Sequence, residues 1–319
     1  MEKNTFATSA YIGVEPQTAF RYLQDLTKLG EWTLYSRMKE QVDEDTWIGT
    51  ASGYQQSLYY HIRRFEGLPF AGFEWQCGLE YKQYYHVYPV FLFPSDYAEP
   101  GTSENGVYFH WISFVGPKRR TPLIMEGIDI VHTSEARALK AALERSAGLR
   151  GPAAGRCRVK THSVYVDAPF ELLTGYLTDL ANMTDWGHLW RAQGAVSPSQ
   201  GTFLDEYGHP LTLATQAYDF SDSCMIEYEA AYRDSNLRTR TLALVVPCAH
   251  AFGEPSARGC ILHRLTFVAV AEAGSRPYPR DDIAAENLNI KRLAEARAGN
   301  VASLARGFSY VATEEYRTA

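Results

Sequence analysis

The feature of this chain that most constrains its fold is a long internal repeat. Ile12-Gly-Val-Glu-Pro16 returns about 153 residues later as Tyr165-Val-Asp-Ala-Pro169. Farther along, Phe73-Glu-Trp75 matches Ile226-Glu-Tyr228 at an offset of 153 residues. A repeat of this length indicates a duplicated fold rather than the short unit of a solenoid. The chain is therefore predicted to consist of two copies of one domain.

The 319 residues give each copy the length of an ordinary domain. Residues 148–155 are rich in Gly and Pro, which is typical of a linker. We therefore predict a first domain over residues 1–150 and a second domain over residues 151–319. Domains of this size can bury enough apolar surface to fold around cores of their own.

Composition excludes several classes of function. The formal net charge is −6, and 21% of the residues are charged. Because the chain lacks a basic field that would hold phosphate groups, neither nucleic acid nor anionic lipid is expected as a partner. The sequence has no signal-peptide pattern and no apolar run of about 20 residues, so we expect a cytoplasmic protein that does not insert into a membrane.

The motifs of the common cofactor classes are missing from the sequence. It contains no phosphate-binding loop, no dinucleotide-binding glycine pattern and no nucleophile elbow. No spacing of His, Cys and acidic residues predicts a metal site. The five cysteines are odd in number and include no C-x-x-C pair, so we predict reduced thiols. We expect neither a cofactor nor a metal.

Both copies are predicted to have the same order of elements. An alternating β segment comes first, and a Pro then begins a short helix, over Pro16–Leu26 and Pro169–Leu180. Six short alternating stretches follow, which predicts an antiparallel meander. One longer helix closes each copy, from about Ile124 to Ala147 in the first and from about Asp282 in the second. The apolar residues at helical spacing in the second of these helices are Ile290, Leu293, Ala294, Val301, Leu304 and Phe308.

This order of elements predicts an α+β fold with an internal cavity. The sheet must curl around the long helix in order to bury the apolar stripe of that helix. A cavity remains wherever the side chains between sheet and helix do not fill the space. Aromatic residues make up 13% of the chain, and Tyr and Trp suit the wall of a ligand site.

At this point the chain resembles the START/Bet v 1-like (SRPBCC) superfamily. In the second copy the resemblance is carried by Val164-Tyr-Val-Asp-Ala-Pro169 leading into a helix. Leu177-Thr-Asp-Leu180, Met183 and Trp186 extend it. The matching residues of the first copy are Tyr11-Ile-Gly-Val-Glu-Pro16, Leu23-Gln-Asp-Leu26, Leu29 and Trp32. The resemblance implies two tandem helix-grip domains, each a curled antiparallel sheet around a long C-terminal helix.

Two copies in one chain are similar to the didomain polyketide aromatase/cyclases. That similarity implies cyclisation or dehydration of a hydrophobic polyketide-like or aromatic intermediate in natural-product biosynthesis, with a carrier protein as a candidate partner that delivers it. The turn after the first helix departs from the family pattern, because it reads Gly30-Glu-Trp-Thr33 rather than a Trp-Pro sequence. The family's catalytic residues are therefore not transferred. The alternative is a non-catalytic carrier that sequesters a hydrophobic small molecule.

Two histidines are the first candidates for catalysis. His110 and His263 occupy equivalent places on the last strand of each copy. His263 alternates with Ile261 and Leu265, so we predict that it faces the cavity with them. An imidazole there can move protons in an enolisation or a dehydration. The alternative is a hydrogen-bonded histidine of the core.

Two arginines are the second candidates. Arg37 and Arg191 each lie five residues after the Trp that the copies share. At the mouth of a cavity an arginine can hold a carboxylate or an enolate oxygen through two hydrogen bonds. The alternative is a surface ion pair, which contributes about 0–1 kcal/mol.

The copies also differ in the polarity of their side chains. Glu74 and Glu227 align, and alternation beside Phe73 and Ile226 predicts that both glutamates face solvent. The first copy has many Tyr and His residues, whereas the second has Ala and Thr where His61 and His86 fall. The first cavity is therefore predicted to be the more polar of the two.

Overall fold

The structure is a computed structural model that describes residues 4–51, 57–102, 105–187, 190–235, 237–269 and 283–300. The first copy begins with strand β1, and a short 3-10 turn lies between its first two helices. Its elements are β1 (Thr5–Ile12), α1 (Pro16–Gln24), α2 (Leu29–Trp32), β2 (Arg37–Asp43), β3 (Thr46–Thr50), β4 (Leu58–Arg64), β5 (Ala71–Gly78), β6 (His86–Pro94), α3 (Ser95–Ala98), β7 (Val107–Phe114) and α4 (Pro122–Ser146).

The second copy repeats this order. Its elements are β8 (Cys157–Val166), α5 (Phe170–Thr178), α6 (Met183–Trp186), β9 (Arg191–Ala192), β10 (Gln200–Leu204), β11 (Pro210–Phe220), β12 (Ser223–Tyr232), β13 (Arg238–Pro247), α7 (Cys248–Phe252), β14 (Cys260–Ala269) and α8 (Ile283–Arg297). The predicted face of the last helix lies outside the described residues from Val301 onward.

Each copy forms a seven-stranded antiparallel sheet of the same strand order. The first sheet runs β1-β7-β6-β5-β4-β3-β2, and the second runs β8-β14-β13-β12-β11-β10-β9. The first strand of each copy therefore pairs with the last one, while the strands between them form a meander. The long helix of each copy packs on one face of its sheet. The prediction of two tandem helix-grip domains of the α+β class is confirmed.

The helix α4 is fixed at both ends by local sequence. The Thr121 hydroxyl accepts a hydrogen bond from the backbone N–H of Ile124 at 3.2 Å, which caps the first turn. Gly148 takes the left-handed conformation, with φ of +74°, just past the last turn. Ala136, Leu139 and Leu143 turn toward the sheet and are buried. The helix consequently presents one face, and only one, to the concave side of the sheet.

Both long helices are attached to the sheet by the same device. In the first copy the Glu144 carboxylate accepts a hydrogen bond from the backbone N–H of Gly13 at 2.9 Å and pairs with Lys140 one turn earlier. In the second copy Glu295 accepts from the N–H of Asp167 at 2.8 Å and pairs with Lys291. The two lysine–glutamate pairs are offset by 151 residues, so they define which residues of the two helices are equivalent.

The two sheets pack face to face, with the helices on the outside. The face of each sheet that points away from its helix contributes to one shared apolar cluster. Phe65 and Phe220 meet there with ring centroids 4.5 Å apart, and Phe93 lies 5.1 Å from Phe267. All eight residues of β7 are buried, because one face of this strand meets the helix side and the other meets the second domain. The resulting order of layers is helix, sheet, sheet, helix.

The two equivalent histidines touch each other at the centre of this interface. His110 Nε2 lies 2.9 Å from His263 Nε2, and both rings are almost completely buried. Each ring also contacts a serine hydroxyl through Nδ1, Ser9 for His110 and Ser163 for His263, at 2.7 Å in both cases. Burial lowers the pKa of His110 to about 3 and the pKa of His263 well below its usual range, so both rings are neutral near pH 7.

Reciprocal contacts on either side of the histidines show that the interface is isologous. His250 on α7 reaches the first domain, where its Nε2 lies 2.8 Å from a carboxylate oxygen of Glu74. Tyr97 on α3, the equivalent residue of the first copy, reaches the second domain, where Arg240, the partner of Glu227, lies 4.3 Å from the centroid of its ring. A residue that contacts its own equivalent must lie on a twofold axis. The pair of His110 and His263 therefore marks a pseudo-twofold axis between the domains.

The double replacement of the two histidines is expected to lower the free energy of unfolding by less than the sum of the two single replacements. In H110L or H263L the remaining imidazole is buried opposite an apolar side chain, so each single variant should lower the free energy of unfolding by about 1–3 kcal/mol. The double variant removes both polar rings and should lose clearly less than the sum of the singles. Urea unfolding of the four proteins measures this coupling. Additive losses would contradict the assignment of a direct contact.

Candidate functional site

The first domain contains a cavity between its sheet and α4. Its volume is about 490 Å³, which lies within the range of small-molecule sites. The concave side of β4 to β7, the inner face of α4 and the segment after α2 form its walls. Side chains that line these walls include Tyr35, Leu58, Tyr60, Trp75, Cys77, His86, Tyr88, Trp111, Ser113, Ile124, Ile128, His132 and Glu135.

The sheet side of the cavity is an aromatic wall. The rings of Trp75 and Trp111 meet edge to face with centroids 5.9 Å apart. Trp32 packs on both of them from the second short helix, at 5.6 Å and 6.1 Å, which holds the two indoles in place. The indole N–H groups of Trp75 and Trp111 are buried and find no acceptor among the described residues. The wall thus presents flat apolar ring surface to the cavity.

The helix side of the cavity carries two ionisable groups one turn apart. His132 stacks on Trp111, with ring centroids 4.1 Å apart and an angle of 29° between the planes. Its Nε2 lies 3.1 Å from the Ser113 hydroxyl, so the sheet fixes the orientation of the ring. Glu135 follows three residues later on the same face of α4, because residues i and i+3 of a helix are neighbours.

The Glu135 carboxyl is buried, and it forms no ion pair with any residue that the structure describes. Only 5% of the residue is exposed, and one carboxylate oxygen accepts a hydrogen bond from the backbone N–H of Leu34 at 2.8 Å. Burial raises the pKa of Glu135 to about 7, against the smaller opposing effect of the Leu34 hydrogen bond. No Lys or Arg is among the described residues that line the cavity. Protonated and ionised forms of Glu135 are therefore both accessible near neutral pH.

The second domain has an ion pair at the same place. Arg264 occupies the strand position of Trp111, since Ala243 and Val90 are their equivalent partners in the neighbouring strands. Glu286 occupies the helix position of Glu135. The Arg264 guanidinium lies 3.0 Å from Glu286, and both side chains are about 95% buried. Arg264 also lies over the ring of Trp186, 5.1 Å from its centroid. The two copies have thus diverged at the centre of the site.

The predicted position of the histidines at a cavity wall is wrong. His110 and His263 do share a face with apolar residues such as Ile261 and Leu265, as the alternation predicted, but this face meets the other domain. Both faces of the last strands are buried, so an apolar neighbourhood does not distinguish the cavity side from the interface side. The catalytic role predicted for the two histidines remains a prediction that this placement does not favour.

Neither arginine is among the described residues that line the cavity of the first domain. The exposed Arg37 donates from Nη1 to the backbone oxygens of Thr33 and Ser36, at 3.0 Å and 2.8 Å, and so closes the turn after α2. Arg191 is exposed on the two-residue strand β9. The prediction that Glu74 and Glu227 face solvent is wrong as well. Both are buried at the domain interface, where Arg63 pairs with Glu74 and Arg240 pairs with Glu227.

Two residues of the cavity were missed in reading the sequence. His132 and Glu135 continue the stripe that Ile128, Leu139 and Leu143 begin on the inner face of α4, with spacings of three and four residues. Polar residues on an otherwise apolar stripe are costly unless they are partnered or used. This interruption of the stripe is the signal that could have identified them.

The architecture and the sequence together define the class to which the chain belongs. It is a protein of two tandem helix-grip domains, with a ligand-sized cavity in the first one. The chain belongs to the family described as "Domain of unknown function (DUF8713)", whose model matches residues 1–151 and 159–303. No curated protein matches the sequence.

Several solved structures share features with this one at low sequence identity. DynU16, a protein in the dynemicin biosynthetic locus, is 14% identical, and the match covers 95% of this chain and 99% of that one with a TM-score of 0.31. The didomain ARO/CYC BexL from the BE-7585A biosynthetic pathway is 12% identical over 95% of this chain and 97% of its own, with a TM-score of 0.34. StfQ, the didomain ARO/CYC from the steffimycin biosynthetic pathway, is 12% identical, and the match covers 93% of this chain and 99% of that one with a TM-score of 0.34.

Two properties of the described residues bear on other classes of function. They include no group of three or more His, Cys, Asp and Glu side chains placed to hold a metal ion. None of the helices within the described ranges combines the length and the apolar composition that crossing a bilayer requires.

The raised pKa of Glu135 predicts a dependence of stability on pH. The pKa of Glu135 is 4.5 for an ordinary glutamate and about 7 in the folded protein. Between these two pH values the folded protein binds the proton more tightly than the unfolded chain does. The free energy of unfolding should therefore fall as pH rises through this window, by up to about 3 kcal/mol. E135Q lacks the titrating group, so it should gain stability relative to the parent protein between about pH 5 and about pH 8.

Urea unfolding of the parent protein and of E135Q, at about pH 5 and about pH 8, measures this difference in the free energy of unfolding. Titration of the buried histidines affects both proteins equally and cancels in the comparison. A stability difference that is the same at both pH values would contradict the raised pKa.

Proposed function

We propose that the first domain binds a hydrophobic aromatic or polyketide-like intermediate of natural-product biosynthesis and promotes its cyclisation or dehydration without a cofactor. The observation that carries this proposal is the cavity of about 490 Å³, in which an aromatic wall faces His132 and Glu135. A site of this kind combines a surface that stacks on rings with groups that transfer protons.

The lining favours an uncharged ligand that has ring systems. Trp75, Trp111, Tyr60 and Tyr88 offer faces and edges on which planar rings pack. A carboxylate ligand finds no Lys or Arg among the described lining residues, and it would lie near Glu135. Desolvation of such an anion would have no compensating partner.

A second candidate function is the sequestering of a hydrophobic small molecule without any reaction. The aromatic wall favours it, because binding by stacking needs neither His132 nor Glu135. The two candidates differ in turnover, not in binding.

Delivery of the intermediate by a carrier protein belongs to the first candidate function. The exposed side chains of Tyr35 and Ile124 at the edge of the cavity would contact such a partner.

Binding of α-naphthol and of α-naphthoate by isothermal titration calorimetry tests the proposed ligand class. The two probes have the same rings, but one is neutral and the other is an anion near pH 7. We expect the parent protein to bind α-naphthol and to bind the anion at least about tenfold more weakly, since an unpaired buried charge costs well over 1.4 kcal/mol. Equal affinity for the two probes would contradict the uncharged class.

The variant W111R tests whether the ligand lies in the cavity of the first domain. It introduces the second domain's arrangement, because Arg at position 111 would pair with Glu135 as Arg264 pairs with Glu286. We expect it to weaken α-naphthol binding by at least about tenfold. W111F keeps an aromatic wall and is the matched control, with affinity expected within about threefold of the parent protein. If W111R folds and binds as well as W111F, the site lies elsewhere.

A further inference from the structure

Glu135 differs from its equivalent in the second domain by the loss of a cation. Glu286 is paired with Arg264 at 3.0 Å, and both side chains are buried. In the first domain the strand position of Arg264 is taken by Trp111, which carries no charge. The helix position, however, remains a glutamate in both copies. The exchange on the strand therefore changes Glu135 from half of an ion pair into a group that can hold a proton.

Among the described residues, the polar contact of Glu135 is with the backbone of Leu34, and it leaves the carboxyl group able to donate that proton. Its Oε1 accepts from the backbone N–H of Leu34, which orients the carboxyl group at the cavity surface. A second residue, His132, stands one turn earlier with its ring fixed between Trp111 and the Ser113 hydroxyl. Two proton-transfer groups thus lie on one helix face and line the same cavity as the aromatic wall, which is the placement that paired acid and base catalysis needs.

We propose that Glu135 is the proton donor and His132 the proton acceptor in the dehydration of a ring β-hydroxy ketone bound in this cavity. The assignment rests on the proposed function of the first domain. It makes both residues catalytic, since each would contact the reacting atoms. It also gives the second domain a structural role at the equivalent place, because Glu286 is committed to Arg264.

The step balances without any added reactant. His132 removes a proton from the carbon next to the ketone, and the electron pair of that C–H bond forms the new C=C bond. The C–O bond to the hydroxyl group breaks, and the leaving oxygen takes the proton of Glu135 to form water. The protein is left with an imidazolium and a carboxylate one helical turn apart. Transfer of the proton from His132 back to Glu135 through water restores the starting state.

The pH dependence of this step follows from the groups that face Glu135. The titratable residues of the described lining besides His132 are Tyr35, Tyr60, Cys77, His86 and Tyr88, contributed by β4, β5, β6 and the segment after α2. None of them is a permanent cation. The acid form of Glu135 should therefore be lost as pH rises through about 7, so that the rate falls on the alkaline side of this value.

Dehydration of a β-hydroxytetralone to a fluorescent naphthol tests the assignment in the full-length protein. The parent protein should accelerate the reaction, and E135Q and H132Q should each lower kcat by at least about 100-fold. Naphthol binding should change by less than about threefold in E135Q, because Gln keeps the shape of the side chain. In E135Q the alkaline fall in rate should also disappear from the residual activity. E126Q, an exposed position of the same helix, is the matched control and should match the parent protein.

The outcomes separate the two proposals. A parent protein that does not bind naphthol overturns the proposed function of the cavity. A parent protein that binds naphthol but leaves the β-hydroxytetralone at its solvent rate overturns the assignment of Glu135 and His132 and favours the sequestering function. Turnover in E135Q within about tenfold of the parent protein, with an unchanged pH profile, also overturns it. A large loss in E135Q with an unchanged profile would indicate a positioning role and would overturn the role as proton donor.

Discussion

The packing of one sheet on the other is the constraint on which the rest of this structure depends. A sheet that grips a helix has one buried face, and its other face is normally solvated. Here the second face of each sheet is buried against the other domain around the contact between His110 and His263. The strand β7 is consequently buried along its whole length, and successive residues alternate between two interiors. Phe109 and Trp111 face the helix side, while His110 and Ile112 face the second domain.

This double burial restrains the wall of the cavity from its far side. Trp111 cannot shift without moving His110, whose ring is held by His263 across the axis and by Ser9 on β1. A catalytic or binding site gains precision when the elements that carry it are locked by packing on the far side. The second domain therefore serves the first as a support for the sheet that forms the cavity wall, whatever the contents of its own interior.

Much of the fold could be predicted because duplication made the sequence its own comparison. The order of elements, the Pro that precedes the first helix and the buried Trp32 and Trp186 follow from local patterns that occur twice. The short helices α3 and α7 were missed, since four or five residues after a Pro carry no periodicity. Their role is also non-local, because Tyr97 packs against Arg240 and His250 contacts Glu74, each in the opposite domain.

The site was harder to predict because alternation identifies faces without saying what covers them. His263 does lie among apolar neighbours, as predicted. The face that they share packs against the other sheet, however, and does not line a ligand cavity. Glu74 and Glu227 were assigned to solvent on the same reasoning, although both are buried at the interface, where the second domain supplies His250 to the Glu74 carboxylate. Both errors have one cause. The existence of a large interface between the copies is a property of the assembled chain and leaves no periodic signal in either half.

Fusion of the two copies is what permits the difference at the centre of the site. In a symmetric homodimer every substitution appears twice, so Trp and Arg could not stand at equivalent strand positions. A single chain removes this restriction, and Trp111 and Arg264 are the result. In the second domain a buried guanidinium fills space and is compensated by Glu286. In the first domain the equivalent Glu135 has no ion-pair partner among the described residues, and it lines a ligand-sized cavity. The difference between Trp111 and Arg264 thus separates a protonatable acid in one domain from an ion-paired glutamate in the other.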